Sequence, residues 1–137
     1  MPHEMTIPEI HGVTQHFVEA TVRALEAGFE FVELHAAHGY LAHSFLSPLS
    51  NERTDAYGGS FENRTRFTLE TFRAMRAAWP ERLPMSVRLS CTDWVEGGWT
   101  IDDSIELSKH LKIERADFID CSSGALVPDA VIPNPAY

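Results

Sequence analysis

Apolar positions along the chain recur with two different spacings, and the two spacings alternate. Three segments place apolar residues three and four positions apart, which is the period of an amphipathic helix. These segments begin near Thr6, Ser60 and Thr100. Each is followed by a short run rich in apolar residues, whose length and composition predict a β-strand. The predicted strands are Phe29–His35, Met85–Ser90 and Asp117–Ser122.

Local signals mark where the predicted helices begin and end. A threonine followed three residues later by an acidic residue has the spacing of a capping box, serine is favoured as an N-cap, and glycine is favoured just past a helix end. Pro80 ends the second helix. A long loop, residues 36–59, precedes that helix. The capping residues are Thr6 with Glu9, Gly28, Ser60, and Thr100 with Asp103.

Helix and strand alternate three times, which predicts parallel strands joined by right-handed crossovers. A doubly wound sheet and a (β/α)8 barrel both fit, but no glycine-rich nucleotide-binding loop follows any strand. One side of the strands is largely polar, whereas a central strand covered by helices on both faces is apolar on both. We therefore predict an α/β fold, a partial (β/α)8 TIM barrel of about three central strand–helix units. The polar side carries Phe31, Glu33, His35, Ser86, Arg88, Ser90, Phe118, Asp120 and Ser122.

Composition and charge exclude several classes of function. The 137-residue chain carries 20 acidic and 11 basic residues, a formal net charge of −9. A surface that binds nucleic acid or anionic lipid needs the opposite sign, so we expect neither as a partner. No apolar run approaches the roughly 20 residues of a membrane helix, and the first residues lack the features of a signal peptide. We therefore expect a cytoplasmic protein.

Candidate chemistry is concentrated at the end of the first predicted strand, where His35, His38 and Tyr40 lie close together in the sequence. In a barrel, active sites form at the carboxyl ends of the strands. Two imidazole N–H groups can stabilise negative charge that develops on a carbonyl oxygen, and a phenol, protonated at neutral pH, can donate a proton. A metal site completed by His43 is the alternative, but no carboxylate lies at a familiar ligand spacing in this segment.

Arg88 is the second candidate. It lies within a short strand of otherwise apolar or small residues, where a guanidinium is costly to bury unless it is paired. Taken on its own, this pattern indicates a structural ion pair inside the barrel. Glu33 and Asp120 lie on the same predicted side of the sheet and are the expected partners.

The most distinctive segments of the sequence are four strings of residues: HAAHGY, SNERTDAYGGSFENRTRF, DWVEGGW and DCSSG. Together they resemble the Old Yellow Enzyme family of FMN-dependent ene-reductases, in its bacterial and fungal branch with a His/His substrate pair. The resemblance implies that His35 and His38 bind the carbonyl oxygen of an activated alkene. It implies that Tyr40 protonates one alkene carbon after FMN, reduced by NADH or NADPH, has delivered hydride to the other. It also implies that Arg88 contacts the flavin, a role that can coexist with an ion pair.

Other parts of these strings are expected to be structural. The polar residues of the second string can satisfy one another and the backbone of the long loop, and Gly58 and Gly59 permit a tight turn. Asp93 and Trp94, in the third string, are expected to pack. The chain departs from the resembled family at LKIERADFIDCSSG, where the family usually has a glycine before the strand.

A complete barrel of this type runs to roughly 250 residues, so we interpret residues 1–137 as a single fragment of an FMN-binding barrel domain. The expected partner is a small molecule, an activated alkene or a phenolic ligand, and homodimers are common among similar enzymes. Two alternatives stay open for the chain itself: an inactive truncated fragment, or a half-barrel that requires a partner chain. A metal-dependent hydrolase built on a barrel is a more distant alternative.

Overall fold

A computed structural model of the chain describes residues 3–128 and 130–131. The order of helices and strands there confirms the predicted alternation. The structure differs from the prediction in some details: the first strand is Val32–Ala36 rather than Phe29–His35, and the third begins at Phe118 rather than Asp117. The long loop also contains a short helix. The elements are α1 (Ile7–Glu26), β1 (Val32–Ala36), α2 (Leu41–Leu46), α3 (Phe61–Ala78), β2 (Met85–Ser90), α4 (Ile101–Ile113) and β3 (Phe118–Ser122).

The three strands form one parallel sheet in the order β1–β2–β3. Across the sheet, His35 pairs with Arg88, and Arg88 pairs with Asp120. At the last position of β2 and β3, Ser90 likewise pairs with Ser122. Residues in register on parallel strands share a face, so this register confirms the predicted polar side. All three strands point the same way, and their carboxyl ends therefore meet at one edge.

The core lies between the opposite face of the sheet and the helices. Leu34, Val87 and Leu89 point to that side and are buried. On the polar face, the rings of Phe31 and Phe118 stack with centroids 5.5 Å apart, yet these residues remain 41% and 49% exposed. The apolar face of the sheet is thus packed at β1 and β2, although Cys121 on the same face of β3 is exposed, and part of the polar face is open to solvent. The helices contribute Ile10, Phe67, Phe72, Met75, Leu107 and Leu111 to the core.

The helices begin where the sequence predicts. Thr6 and Glu9 form a capping box at α1, and Thr100 and Asp103 form another at α4. The hydroxyl of Ser60 accepts a hydrogen bond from the backbone N–H three residues later, at the start of α3. None of the described helices combines the length and the apolar character that crossing a bilayer requires.

The ends of α1 and α4 differ in a way that the sequence anticipates. After α1, Gly28 has φ +85°, a left-handed conformation that glycine adopts without strain. After α4, Arg115 has φ +68°, so a residue with a Cβ takes the equivalent conformation. This is the segment where the resembled family usually has a glycine, and the fold keeps the turn without it.

Candidate active site

His35, His38 and Tyr40 form one cluster of rings at the carboxyl end of β1. The ring centroids of His35 and His38 lie 5.2 Å apart, and those of His35 and Tyr40 lie 5.3 Å apart. Arg88 is the register partner of His35 on β2. Tyr40 is 65% exposed, so its ring is accessible to a ligand. The four residues that the sequence analysis selected are therefore brought to one region of the polar face.

The turn that connects β1 to α2 has an unusual backbone. His38 and Gly39 are both left-handed, with φ +58° and +74°. A Cβ on Gly39 would lie 2.7 Å from the carbonyl oxygen of Ala125, so only glycine fits. The backbone N–H of His38 donates to the hydroxyl of Ser90 (2.9 Å), which donates to the carbonyl oxygen of Gly124 (2.9 Å). The turn is thus tied to β2 and to the loop after β3.

The surroundings of His38 favour its neutral form. Partial burial, together with the nearby charges of His35 and Arg88, lowers the pKa of His38 below its ordinary value of 6.5. Its Nε2 lies 2.5 Å from the hydroxyl oxygen of Ser122 on β3. The sequence motifs gave Ser122 no role. Its contact with His38 joins β1 to β3, and the distance of 84 positions between them explains why local sequence did not reveal it.

The expectation that Arg88 is buried was wrong. We predicted a buried guanidinium, but the side chain is 39% exposed, because it lies on the open polar face. Its Nε is 3.5 Å from Oδ2 of Asp120, which confirms Asp120 as an ion-pair partner. Glu33 instead accepts a hydrogen bond from Ser86 (2.5 Å).

The ion pair leaves part of the guanidinium unsatisfied. Nε of Arg88 is buried and has no hydrogen-bond partner among the described residues, since the contact with Asp120 lacks hydrogen-bond geometry. A buried donor of this kind is costly unless an acceptor reaches it. Arg88 therefore suits a ligand that presents an acceptor edge, and the isoalloxazine ring of FMN has such an edge.

The polar residues of the long loop have the structural role that we predicted. Arg53 binds Asp55 through two hydrogen bonds of 3.0 and 2.6 Å. Arg64 and Arg66 donate to backbone carbonyl oxygens within or beside the loop. A Cβ on Gly58 would lie 2.2 Å from the carbonyl oxygen of Arg53, which accounts for a glycine there. These contacts fold the segment that leads from the site to α3.

A buried polar network lies beneath the ring cluster, and sequence analysis did not identify it. His43 and Asp93 are both fully buried and lie 2.9 Å apart, between Nε2 and Oδ1. Ser47 donates to Oδ2 of the same carboxylate (2.6 Å). Asp93 is thus packed, as expected. The same expectation was wrong for Trp94, which is 41% exposed. In residues 3–128 and 130–131, no group of three or more His, Cys, Asp or Glu side chains is arranged to hold a metal ion.

Histidine, tyrosine and arginine side chains lie near the carboxyl ends of parallel strands, which is where α/β-barrel enzymes place their active sites. The family model described as NADH:flavin oxidoreductase / NADH oxidase matches residues 1–136. The chain therefore belongs to this family, which confirms the resemblance to the Old Yellow Enzyme group. Membership implies FMN as the cofactor of the family and a nicotinamide nucleotide as its reductant.

Similar proteins support this assignment. An NADPH dehydrogenase of Bacillus velezensis is 52% identical over 136 residues, which are 99% of this chain and 40% of that protein. An NADPH dehydrogenase of Bacillus subtilis is 48% identical over the same extent of both chains. The chain thus spans about two fifths of the length of these curated relatives.

Solved structures confirm the predicted fold class. A 2-naphthoyl-CoA reductase in complex with 2-naphthoyl-CoA matches with a TM-score of 0.85 at 37% identity, over 89% of this chain and 19% of that one. Morphinone reductase in complex with tetrahydroNAD matches with a TM-score of 0.78 at 33% identity, over 88% of this chain and 34% of that one.

Proposed function

We propose that the chain is the substrate-binding and proton-donating part of an FMN-dependent NAD(P)H oxidoreductase that reduces activated alkenes such as enones. The observation that carries the proposal is the convergence of His35, His38, Tyr40 and Arg88 on one region of the polar face. The relatives named NADPH dehydrogenase and the neighbours named reductases support the same class of reaction.

The two imidazoles bind the carbonyl oxygen of the alkene. Reduction of an enone builds negative charge on that oxygen, and hydrogen-bond donors that are already in place stabilise it. His38 is neutral at pH 7, since its pKa is lowered, and a neutral imidazole still offers one N–H. The ring of His35 contacts the rings of both His38 and Tyr40, so an oxygen bound by His35 is also near the phenol.

Tyr40 is the proton donor. A phenol is protonated at neutral pH, and a positioned acid contributes roughly 10²- to 10⁴-fold to the rate of a proton-transfer step. Tyr40 is largely exposed and begins α2 directly after the left-handed turn. Its ring can therefore reach a ligand that lies over the polar face.

Bound FMN would supply hydride to the alkene carbon that Tyr40 does not protonate. Arg88 would hold the acceptor edge of the ring system through its unsatisfied Nε. A guanidinium carries a positive charge, so it favours a ligand that gains negative charge. A phenolic compound is a second expected ligand, because its oxygen can take the place of the substrate carbonyl oxygen at the two imidazoles.

The test joins this chain to the remaining barrel segments of the Bacillus velezensis relative and measures bound flavin and NADPH oxidation with 2-cyclohexen-1-one. We expect turnover, and we expect the change His35→Ala to lower it by about 10²-fold, the typical cost of one oxyanion donor. The control is His16→Ala, on the exposed surface of α1. Equal turnover of the two variants would contradict the proposal.

The second candidate is a fragment without activity of its own, either inactive or dependent on a partner chain. The open polar face, with Phe31 and Phe118 exposed, favours it. We expect the 137-residue chain alone to bind FMN poorly. A stoichiometric flavin with reductase turnover in that chain would refute the claim that it is incomplete. Absence of turnover when flavin and the other segments are present would favour an inactive fragment.

A further inference from the structure

We propose that His43 is a positioning residue, which, anchored by Asp93, fixes the peptide of Gly39 and so holds the phenol of Tyr40 against His35. The catalytic consequence rests on the proposed function. The geometric claim does not, because it concerns contacts within this chain alone. The resemblance assigns no role to His43, and the sequence pattern named it only as the third ligand of the alternative metal site.

Both ring nitrogens of His43 are used. The backbone N–H of Gly39 donates to Nδ1 over 3.0 Å, so Nδ1 carries no proton. Nε2 therefore carries the proton and donates to Oδ1 of Asp93 over 2.9 Å. The residue is fully buried, and no water is needed to satisfy either nitrogen. The contacts fix the tautomer of His43 and the orientation of its ring.

Asp93 is in turn held rigidly. Its Oδ2 accepts from the hydroxyl of Ser47 (2.6 Å) and from the backbone N–H of Trp99 (2.7 Å). Burial by itself raises the pKa of Asp93, but hydrogen bonds from His43, Ser47 and the Trp99 backbone outweigh it, and the pKa is lowered. An ionised carboxylate with three donors is a firm anchor for an imidazole N–H. The network links α2 to the loop after β2.

The anchored imidazole of His43 contacts the candidate site through the peptide N–H of Gly39. Gly39 has φ +74° and follows a left-handed His38, so the turn depends on outside contacts to keep its shape. Tyr40 follows directly, and its side chain does not cap α2. Rotation of the Gly39 peptide would therefore carry the phenol away from His35. Displacements of about 1 Å at a reacting group can cost about 10²-fold in rate.

Solution NMR on the ¹⁵N-labelled chain tests the geometry. In the unmodified chain we expect a non-protonated Nδ1 on His43, a protected Gly39 amide, and a nuclear Overhauser contact between the Tyr40 and His35 rings. The change His43→Leu should speed hydrogen exchange of the Gly39 amide by at least about tenfold, because it removes one hydrogen bond. It should also weaken the contact between the Tyr40 and His35 rings.

Two further variants separate positioning from general destabilisation. Ser104→Ala is the matched control. Ser104 is buried beside Trp99, whose indole N–H donates to it over 2.6 Å, and its own hydroxyl donates to the carbonyl oxygen of Cys91 rather than to the Gly39 turn. It should leave both the Gly39 exchange and the ring contact unchanged. His43→Asn keeps an acceptor oxygen near the position of Nδ1 and should restore the ring contact in part. If His43→Leu does not fold, two other measurements test the inference: the tautomer of His43 in the unmodified chain, and the ring contact in His43→Asn.

A kinetic measurement on the chain joined to the remaining barrel segments completes the test. His43→Leu should lower kcat by roughly 10- to 100-fold with KM changed by less than about twofold, whereas Ser104→Ala changes neither. A proton on Nδ1, or an unchanged ring contact in His43→Leu, would overturn the inference. If the NMR results hold but the unmodified protein does not reduce the alkene, the proposed function fails and the positioning role stands.

Discussion

His38 combines a strained backbone with a perturbed side chain. Its φ of +58° is rare for a residue with a Cβ, and the hydrogen bond from its N–H to Ser90 helps to hold it there. The motif HAAHGY was sufficient to select the residues of the ring cluster. It was not sufficient to identify Ser90 and Ser122 as their supports, because those contacts depend on how distant strands pair.

The pKa of His38 is a direct test of the arrangement at the residue scale. It is lowered by burial, by His35 and by Arg88, so we expect a midpoint below 6.5 in an NMR titration. Replacing Arg88 with Leu removes a positive charge and should move the midpoint upward. The pKa of His38 in the folded chain lies below its ordinary value, so on acidification the unfolded chain takes up this proton at a higher pH. The free energy of unfolding therefore falls as the pH drops below about 6.5.

Arg73→Leu is the matched control for this titration. Arg73 is an arginine of α3 that binds Glu114, and it does not contribute to the pKa of His38. We expect no change in the His38 midpoint for this variant. A downward shift in Arg88→Leu, or equal shifts in the two variants, would show that Arg88 does not face His38.

At the scale of helices and strands, periodicity and capping signals predicted most boundaries. The capping boxes at Thr6 and Thr100 and the N-cap at Ser60 are local features, and all three formed. The short helix α2 was missed, since six residues provide less than two turns of apolar spacing. It is held by the tertiary contacts of its buried side chains, which are Ala42, His43, Phe45 and Leu46.

The end of α4 gives a prediction at this scale. Arg115 has a Cβ in a left-handed conformation, which costs about 1 kcal/mol relative to glycine. Arg115→Gly should therefore raise the free energy of unfolding in urea by about that amount relative to Arg115→Ala. The alanine variant is the reference because both changes remove the exposed contact with Glu81. An alanine variant as stable as the glycine variant would contradict this account.

For the whole molecule, alternation of apolar and polar residues predicted which face of the sheet is packed. The prediction succeeded because the side-chain period of a strand is two, and the register kept the two sets apart. The prediction failed for the burial of Arg88. The exposure of a side chain depends on which elements cover its face of the sheet, and the sequence of the strand does not reveal that. The extent of the open face became visible only in three dimensions.

Two substitutions distinguish the two faces. Leu89 is fully buried against the helices, and Leu89→Ala should destabilise the chain by about 2–5 kcal/mol. Phe31 is 41% exposed on the polar face, so Phe31→Ser should change the stability of the isolated chain much less. It should, however, weaken association with a polypeptide that supplies the remaining barrel strands. Equal loss of stability in both variants, measured by urea unfolding, would show that the polar face is already covered.

The most direct measurement of the central claim is the rate at which the reduced, completed enzyme is reoxidised by 2-cyclohexen-1-one in Tyr40→Phe. Tyr57→Phe is the matched control, because Tyr57 is buried and donates to Glu70 away from the ring cluster. We predict a loss of at least about 10²-fold for Tyr40→Phe, from the removal of a positioned acid, and little change for Tyr57→Phe. A Tyr40→Phe enzyme as fast as the control would contradict the role of the phenol and, with it, the proposed reaction.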